Sequence, residues 1–367
     1  MFRVGDVVVG GENVVLIAEA GVNHLNDLEL AERLVAAAAR AGAQIVKFQT
    51  YTAERLVTRD APRYWSWSGE DTPTGGQFES FKRLESPDEA FTRALQQICR
   101  SHGVEFMATP FDTEAVSMLL RVGVGAFKVA SGDITNLPLL RAVGAAELPV
   151  FLSSGASDLA EIEAAVRVLE AAGAPHVSVM HCTLAYPTRP EDANLTAIND
   201  LKATFPDRVL GFSDHTLGPH IGASSVLLGV DVIEKHFTVD RTLPDSADHW
   251  LSSDEEEFRL MRSIVDVVRL ARGNGRKTVL QAERAARENA RRSLVTLGAI
   301  KKGVAFTAEN VISKRPATGI SPMYLDEVLG LTAAEDLADD TVLYPEDVVG
   351  EASFKPITEA TAHLFRP

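Results

Sequence analysis

Gly211-Phe-Ser-Asp-His-Thr216 and Val232-Ile-Glu-Lys-His-Phe-Thr238 share one pattern. Each opens as a short apolar strand and delivers a histidine at its end, His215 and His236. Two imidazoles at the same end of neighbouring strands suit one shared divalent metal, with open positions for water or substrate. Either histidine alone is better explained by a hydrogen bond to local backbone. The pair, each placed just past a strand, favours the metal.

The same alternation of strand and helix extends in both directions. Val14-Val-Leu-Ile-Ala18 is a continuous apolar run, as expected of a strand buried on both faces. Residues 27–41 then place Leu30, Leu34, Ala37, Ala38 and Ala41 at helical spacing, and Gly42 stops the helix. A second strand is predicted at 44–49, and further ones at 104–109, 126–130, 150–153, 177–181, 209–212 and 230–235. Helical patterns separate or follow them at 87–102, 113–121, 137–143, 158–171, 195–203, 221–228 and 254–271. Eight strands and eight helices in about 270 residues have the size and rhythm of an α/β fold of the (β/α)8 TIM-barrel type. A doubly wound open sheet is the rival, but no GxGxxG turn follows the first strand. Residues 1–10 read as a small β-ribbon closing the barrel floor. The acidic run at 254–257 reads as a helix start, where the dipole favours negative charge, and not as a metal site.

One loop breaks the short-loop rule. Residues 51–85 carry Tyr64, Trp65, Trp67 and Gly75-Gly76 between the second strand and its helix. Their aromatic content predicts a lid over the barrel mouth. A composition shift follows the barrel at Arg272-Gly-Asn-Gly-Arg276, then a helical connector at 281–291 whose Arg284, Arg287 and Arg291 read as solvated or interface charges. Short strands at 292–297, 301–303 and 312–319 predict a small β-rich module. The expected divisions are a barrel at 1–272, a linker at 273–291, a small domain at 292–348 and a tail at 349–367.

The 367 residues are 46% hydrophobic and carry a formal net charge of -15. That balance argues against nucleic acid or an anionic membrane as partner, since both need clustered Lys and Arg. It is compatible with a small anionic substrate met by a few inward lysines. The sequence shows no leader-like start and no apolar stretch long enough to span a bilayer. Cys99 and Cys182 alone fit reduced thiols and a cytoplasmic address.

In such barrels the chemistry lies at the C-terminal ends of the strands. Those ends read, in order, Glu19; Lys47 with Gln49; Thr109; Lys128 with Ser131; Ser153 with Ser154; His181 with Thr183 and Tyr186; Ser213 with His215; and His236. Lysines and hydroxyls converging on one spot suit a phosphate or carboxylate. Histidines with a metal suit polarisation of a carbonyl and activation of water. Glu19, the one clear carboxylate of the ring, supplies an acceptor or an acid–base group. Together they describe a site joining an anionic phosphate ester to a carbonyl compound. A Schiff base at Lys47 or Lys128 is an alternative, against which the paired histidines weigh.

Ile17-Ala-Glu-Ala-Gly-Val-Asn-His24, Val46-Lys-Phe-Gln-Thr50, Lys128-Val-Ala-Ser-Gly-Asp133, His181-Cys-Thr183, Tyr186-Pro-Thr188, Phe212-Ser-Asp-His-Thr216 and Glu234-Lys-His-Phe-Thr238 resemble the sialic acid synthase (N-acetylneuraminate synthase) family. Arg292-Ser-Leu-Val295, Lys301-Lys-Gly303 and Lys314-Arg-Pro316 resemble its antifreeze-like, or SAF, domain. The resemblance implies condensation of phosphoenolpyruvate with the open-chain aldehyde of an N-acylated hexosamine, giving a nonulosonic acid and phosphate by C–O cleavage. It implies a divalent ion, Mn²⁺ foremost with Mg²⁺ or Co²⁺ as alternatives, on His215 and His236. It implies phosphoenolpyruvate ligands at Lys47, Thr109, Lys128, Ser131, Ser153 and Ser213, and sugar-side residues at Glu19, Gln49, Tyr186 and Asp248. It also implies a domain-swapped homodimer in which Arg315 reaches the sugar of the partner subunit. A synthase for another, phosphorylated aldose and a non-catalytic carbohydrate-binding barrel are the alternatives.

Four features depart from the family pattern. Leu184 stands where the family often has Asn, and Asp133 where Glu is common. Pro244-Asp-Ser-Ala-Asp-His249 replaces a Gly-Pro-Asp-His segment, and the lid carries Tyr64-Trp-Ser-Trp67. The last three touch the expected sugar side, so the acceptor stays open between N-acetylmannosamine, a 2,4-diacetamido-trideoxyhexose and a less common sugar.

Overall fold

The computed structural model describes residues 1–65, 76–86, 88–244, 246, 248–352 and 354. Eight parallel strands close into a barrel: β3 (Val15–Gly21), β4 (Ile45–Thr50), β5 (Glu105–Pro110), β6 (Phe127–Val129), β7 (Val150–Ser153), β8 (Val177–Cys182), β9 (Leu210–Asp214) and β10 (Val232–His236). Pairing of β10 with β3, from Val232 opposite Val15 to His236 opposite Glu19, completes the ring. The TIM barrel read from the sequence is therefore the fold.

Successive side chains in a strand point to opposite faces, and here that alternation divides the core. Val15, Ile17, Ile45, Met107, Ala126, Phe151, Met180 and Val232 point inward and form the floor of the barrel. Leu16, Val46, Phe106, Phe127, Leu152, Val179, Phe212 and Ile233 point outward against the helices. The predicted ribbon is an antiparallel hairpin, β1 (Phe2–Val4) and β2 (Val7–Val9), whose Phe2, Val4 and Val9 plug that floor. Gly5 turns it at φ 53, and the next amide, Asp6 N, donates to Glu105 Oε1 at 2.9 Å, tying the plug to the start of β5.

The helices of the outer layer are Leu28–Arg40, Glu89–Ser101, Thr113–Val122, Leu137–Gly144, Leu159–Ala172, Ile198–Thr204, His220–Ser224 and Glu255–Arg272. Asp27, Asp88, Asp112, Asp158 and Asp254 each cap one by accepting a backbone N–H. The acidic run at 254–257 is thus a capped helix start, as its sequence suggests. The stretch expected as one helix at 221–228 tightens after Ser224 into a 3₁₀ turn, Ser225–Leu228, which Gly229 ends at φ 95. No helix among the described residues is long and apolar enough to cross a membrane.

The long loop after β4 contains two short helices, Ala53–Leu56 and Gln77–Leu84. Phe81 meets Tyr51 at 5.5 Å and Trp65 at 5.6 Å between ring centroids. Trp67 and Gly75 lie outside the described residues, as does most of the expected tail.

A second compact unit begins at Gly275. Its connector is a 3₁₀ turn, Gln281–Glu283, running into an exposed helix, Arg284–Ala290. Two small antiparallel pairs follow, β11 (Ser293–Thr296) with β12 (Val311–Lys314) and β13 (Thr332–Ala333) with β14 (Val348–Val349). Leu294, Ile300, Phe306, Val311, Tyr324, Val328 and Leu343 form its core. Residues 301–303, expected as a strand, form a turn instead. The strand expected at 312–319 ends at Lys314, because Pro316 has no N–H to continue a ladder.

The start of the barrel holds a buried histidine. His24 sits between Phe48 and Phe91, with ring centroids at 5.7 and 5.3 Å, and its Nδ1 accepts from Asn26 N. Burial pulls its pKa down to about 4. The unfolded chain takes up that proton near pH 6.5, so His24 lowers stability as the pH falls from 6.5 and the loss is complete near 4, at about 3 kcal/mol. Urea unfolding of wild type and His24→Leu over this range checks it. Wild-type stability minus that of the variant should fall by that amount toward pH 4; a constant difference would refute the assignment.

Candidate functional site

The alternation that builds the apolar floor continues up each strand and places polar groups above it. Glu19 follows Val15 and Ile17 on the inner face, Lys47 and Gln49 follow Ile45, and Thr109 follows Met107. Lys128 follows Ala126, Ser153 follows Phe151, and Glu234 and His236 follow Val232. These groups, with Ser131, Asp133, Tyr186, Ser213, His215 and Asp248, line a cavity of about 490 Å³ at the C-terminal mouth of the barrel.

Four charges form its base. Lys47 Nζ lies 2.6 Å from Glu19 Oε2 and 3.7 Å from Glu234 Oε1, and it donates to Thr109 Oγ1 at 2.9 Å. Lys128 Nζ donates to both oxygens of Glu234 at 2.9 and 3.0 Å. Ser213 Oγ donates to Glu234 at 3.3 Å, and Gln49 Nε2 to Glu19 at 3.0 Å. All four charged side chains are buried. Burial alone would raise the pKa of Glu234, but Lys128 and Lys47 outweigh it and bring it to about 2. Glu19 moves the other way: burial raises it, and the charge of Glu234 adds to that against the pull of Lys47. Lys47 is held above the usual lysine range, since Glu19 and Glu234 outweigh its burial. Two neighbouring carboxylates pushed apart in this manner are suited to different roles, one permanently ionised and one able to carry a proton.

The hydroxyls stand around these cations. Ser131 Oγ accepts from Gly155 N at 2.9 Å, and the buried Ser153 Oγ has no hydrogen-bond partner among the described residues. Asp133, raised by burial, accepts from Asn136. Leu184, in place of an amide, is an apolar part of the wall.

The two histidines stand together, with ring centroids 5.5 Å apart. His215 Nδ1 is 2.9 Å from the Thr183 carbonyl, which fixes a proton on that nitrogen and leaves Nε2 with a bare lone pair. His236 Nδ1 is buried without a hydrogen bond, 3.6 Å from Asp248 Oδ2. Burial above all, with Lys47 adding to it, holds His236 far below its ordinary pKa, in the neutral form a metal requires. Among the described residues no cluster of three or more His, Cys, Asp or Glu is arranged for a metal. These residues fit an ion held by two imidazoles, with its other positions left to water or substrate. Tyr186 lies 4.2 Å from His215 with the two rings tilted by 37°, and it meets His236 edge-on at 6.0 Å. Burial brings Asp248 up to about 6, with Glu19 adding to the rise. Above lie Tyr51, Tyr64, Trp65, Phe81, Phe111 and Trp250, so the mouth is aromatic where the base is charged.

The structure corrects the sequence reading in two places. His181, Thr183 and Ser154 do not join the ring. They donate to or meet backbone carbonyls of Ala193, Asp192 and Met180, beside a separate outer cavity. Glu19 is not the one clear carboxylate, because Glu234 shares the base. Arg315 lies in the second unit, directly after β12 and exposed.

Comparison with known proteins agrees with this architecture. The NeuB family pattern matches residues 34–277 and the SAF domain pattern residues 291–349. The chain is 40% identical to the uncharacterized protein MJ1065 of Methanocaldococcus jannaschii, over 95% of this chain and 99% of that one. It is 36% identical to the N,N'-diacetyllegionaminic acid synthase of Campylobacter jejuni, over 90% of this chain and 99% of that one. The crystal structure of N-acetylneuraminic acid synthetase from Leptospira borgpetersenii superposes with a TM-score of 0.69 at 34% identity, covering 78% of this chain and 94% of that one. With a matched barrel followed by a matched small domain, the chain belongs to the NeuB family and carries a C-terminal SAF domain.

Proposed function

We propose that the barrel joins phosphoenolpyruvate to the open-chain aldehyde of an N-acylated hexosamine, giving a nonulosonic acid and phosphate. The observation that carries this reading is the cavity base. Two buried lysines, ringed by Thr109, Ser131, Ser153 and Ser213, face two histidines across a space of small-substrate size. Lys47 and Lys128 bind the phosphate and carboxylate of phosphoenolpyruvate, with the hydroxyls as further donors. A divalent ion on His215 and His236, Mn²⁺ foremost with Mg²⁺ or Co²⁺ as alternatives, would polarise the aldehyde and activate water. Glu19, fixed by Gln49, orients the sugar and delivers a proton to the aldehyde oxygen as C3 of phosphoenolpyruvate bonds to the aldehyde carbon. Water adds at C2 and returns one proton to Glu19; the bond from C2 to the phosphate oxygen then breaks as the C2 hydroxyl becomes the carbonyl and its proton leaves with the phosphate. Tyr186 and Asp248 border the sugar end, and Asp133 lies beside the hydroxyls.

For the acceptor, we favour a 2,4-diacetamido-trideoxyhexose over N-acetylmannosamine. A wall of Tyr51, Leu56, Val57, Phe81, Leu84, Phe111 and Trp250 suits a deoxy carbon and a second acyl group better than an extra hydroxyl. The relative from Campylobacter jejuni, named for a diacetylated product, supports this choice. We place the enzyme in the cytoplasm as a domain-swapped homodimer, Arg315 completing the sugar end of a second copy.

Phosphate release from phosphoenolpyruvate with Mn²⁺, across both diacetamido-trideoxyhexoses, N-acetylmannosamine and mannose, tests the reading. Release is expected with a diacetamido sugar and should stop with chelator. Release independent of acceptor, or none in the presence of bound metal and phosphoenolpyruvate, would count against it. Lys47→Ala should lower kcat/KM by about 2–4 kcal/mol of transition-state stabilisation. A near-normal turnover would remove Lys47 from the site. Glu234→Ala strands two buried lysines on one carboxylate and should destabilise the barrel by about 3–5 kcal/mol, read by urea unfolding.

A further inference from the structure

Directly behind the two histidines lies a second buried ion pair that does not line the cavity. Lys235 alternates with Glu234 and His236, so it points outward from β10 while they point inward. Asp214 alternates with Ser213 and His215 and points outward from β9. The two are register partners on adjacent strands. Lys235 is 2% exposed and Asp214 1% exposed, and Lys235 Nζ donates to Asp214 Oδ2 at 2.9 Å. Lys235 also donates to the Thr216 carbonyl at 2.6 Å. The other carboxylate oxygen, Oδ1, accepts from Thr216 N at 2.9 Å and Thr216 Oγ1 at 2.7 Å.

The hydrogen bonds of this cluster end on the residues that flank the histidines. His215 lies between Asp214 and Thr216, and both neighbours are tied to Lys235. His236 follows Lys235 directly. The backbone on both sides of one imidazole is thus pinned to the residue next to the other. The following helix closes over the pair, and a Cβ on Gly222 would lie 2.8 Å from Asp214 Oδ2, so glycine is what permits the approach. A buried ion pair is a weak source of stability compared with apolar residues of the same volume. Its geometric effect here is specific: it fixes the spacing between the ends of β9 and β10.

Resting on the reading of His215 and His236 as metal ligands, we propose that Lys235 and Asp214 are positioning residues that set the separation of the two imidazoles and so the affinity for the divalent ion. They touch neither substrate nor the reacting atoms. The brace ties the ends of β9 and β10 and touches neither β4 nor β6, the strands that carry Lys47 and Lys128.

The test is Mn²⁺ binding to the full chain, followed by the loss of the free-ion electron paramagnetic resonance signal, with and without saturating phosphoenolpyruvate. Lys235→Met, Asp214→Asn and the double variant are compared with wild type, and Thr216→Val supplies a milder loosening should either single variant fold poorly. Changes in groups that orient a ligand from behind weaken metal binding by about 10–100-fold. That loss is expected in each brace variant, both with and without phosphoenolpyruvate. The double variant separates positioning from stability. Removing both charges restores thermal stability in the expected case while Mn²⁺ affinity stays low. Recovery of affinity together with stability would overturn the inference, as would variants that bind Mn²⁺ like wild type. A wild-type chain with no Mn²⁺ site under either condition would instead overturn the metal reading and the inference with it.

Discussion

The structure depends on a constraint set at the base of the cavity: charges inside a closed barrel must answer one another. A barrel sheet has no open edge, and the hairpin of β1 and β2 seals its floor, so water reaches Lys47 and Lys128 only from the mouth. Unpaired, each ammonium would face a desolvation cost that drives it toward its neutral form. Glu19 and Glu234 remove that cost at separations between 2.6 and 3.7 Å. Two lysines against two glutamates leave the base close to neutral before any substrate arrives. An acidic chain can therefore keep two lysines ready for an anion, because its net charge of -15 is not the local one.

Much of this was legible in the sequence through one rule. A strand alternates its faces, and the inward residues at the barrel floor are apolar, so counting in twos from the floor sorts the rim. From Phe151 the count reaches Ser153 and leaves Ser154 outside. From Met180 it reaches Cys182 and turns His181 outward, to the Ala193 carbonyl. From Val232 it passes Glu234 before reaching His236. The sequence reading found the fold, both lysines and both histidines because each stands at a strand end. It admitted His181 and overlooked Glu234 because it judged strand ends by proximity and not by face.

The remainder was not available from the pattern for physical reasons. Nothing local distinguishes a carboxylate that serves as counter-ion from one that carries a proton; the difference between Glu234 and Glu19 arises from lysines distant in the chain. The short pairs of the second unit also leave little periodic signal. β13 and β14 are two residues each, and the core around Phe306 and Tyr324 is gathered from turns. The turn at 301–303 was charged and glycine-containing, which suits a hairpin end as well as a strand.

The two halves of the cavity divide the substrate's chemistry between them. An anion reaching Lys47 and Lys128 competes with Glu234, which stays ionised, so binding requires a ligand with enough negative charge to share both lysines with it. A neutral sugar gains nothing there and is better served by the aromatic wall of Tyr51, Phe81 and Phe111 and by the Tyr186 ring over His215. On the proposed reaction, this asymmetry would set an order of placement, the anion at the charged base first and the sugar above it second. Glu19 lies on the boundary, paired to Lys47 below and held by Gln49 beside it. A carboxyl in that position loses the pull of Lys47 when the lysine turns to the anion, and its affinity for a proton rises as the reactants come together.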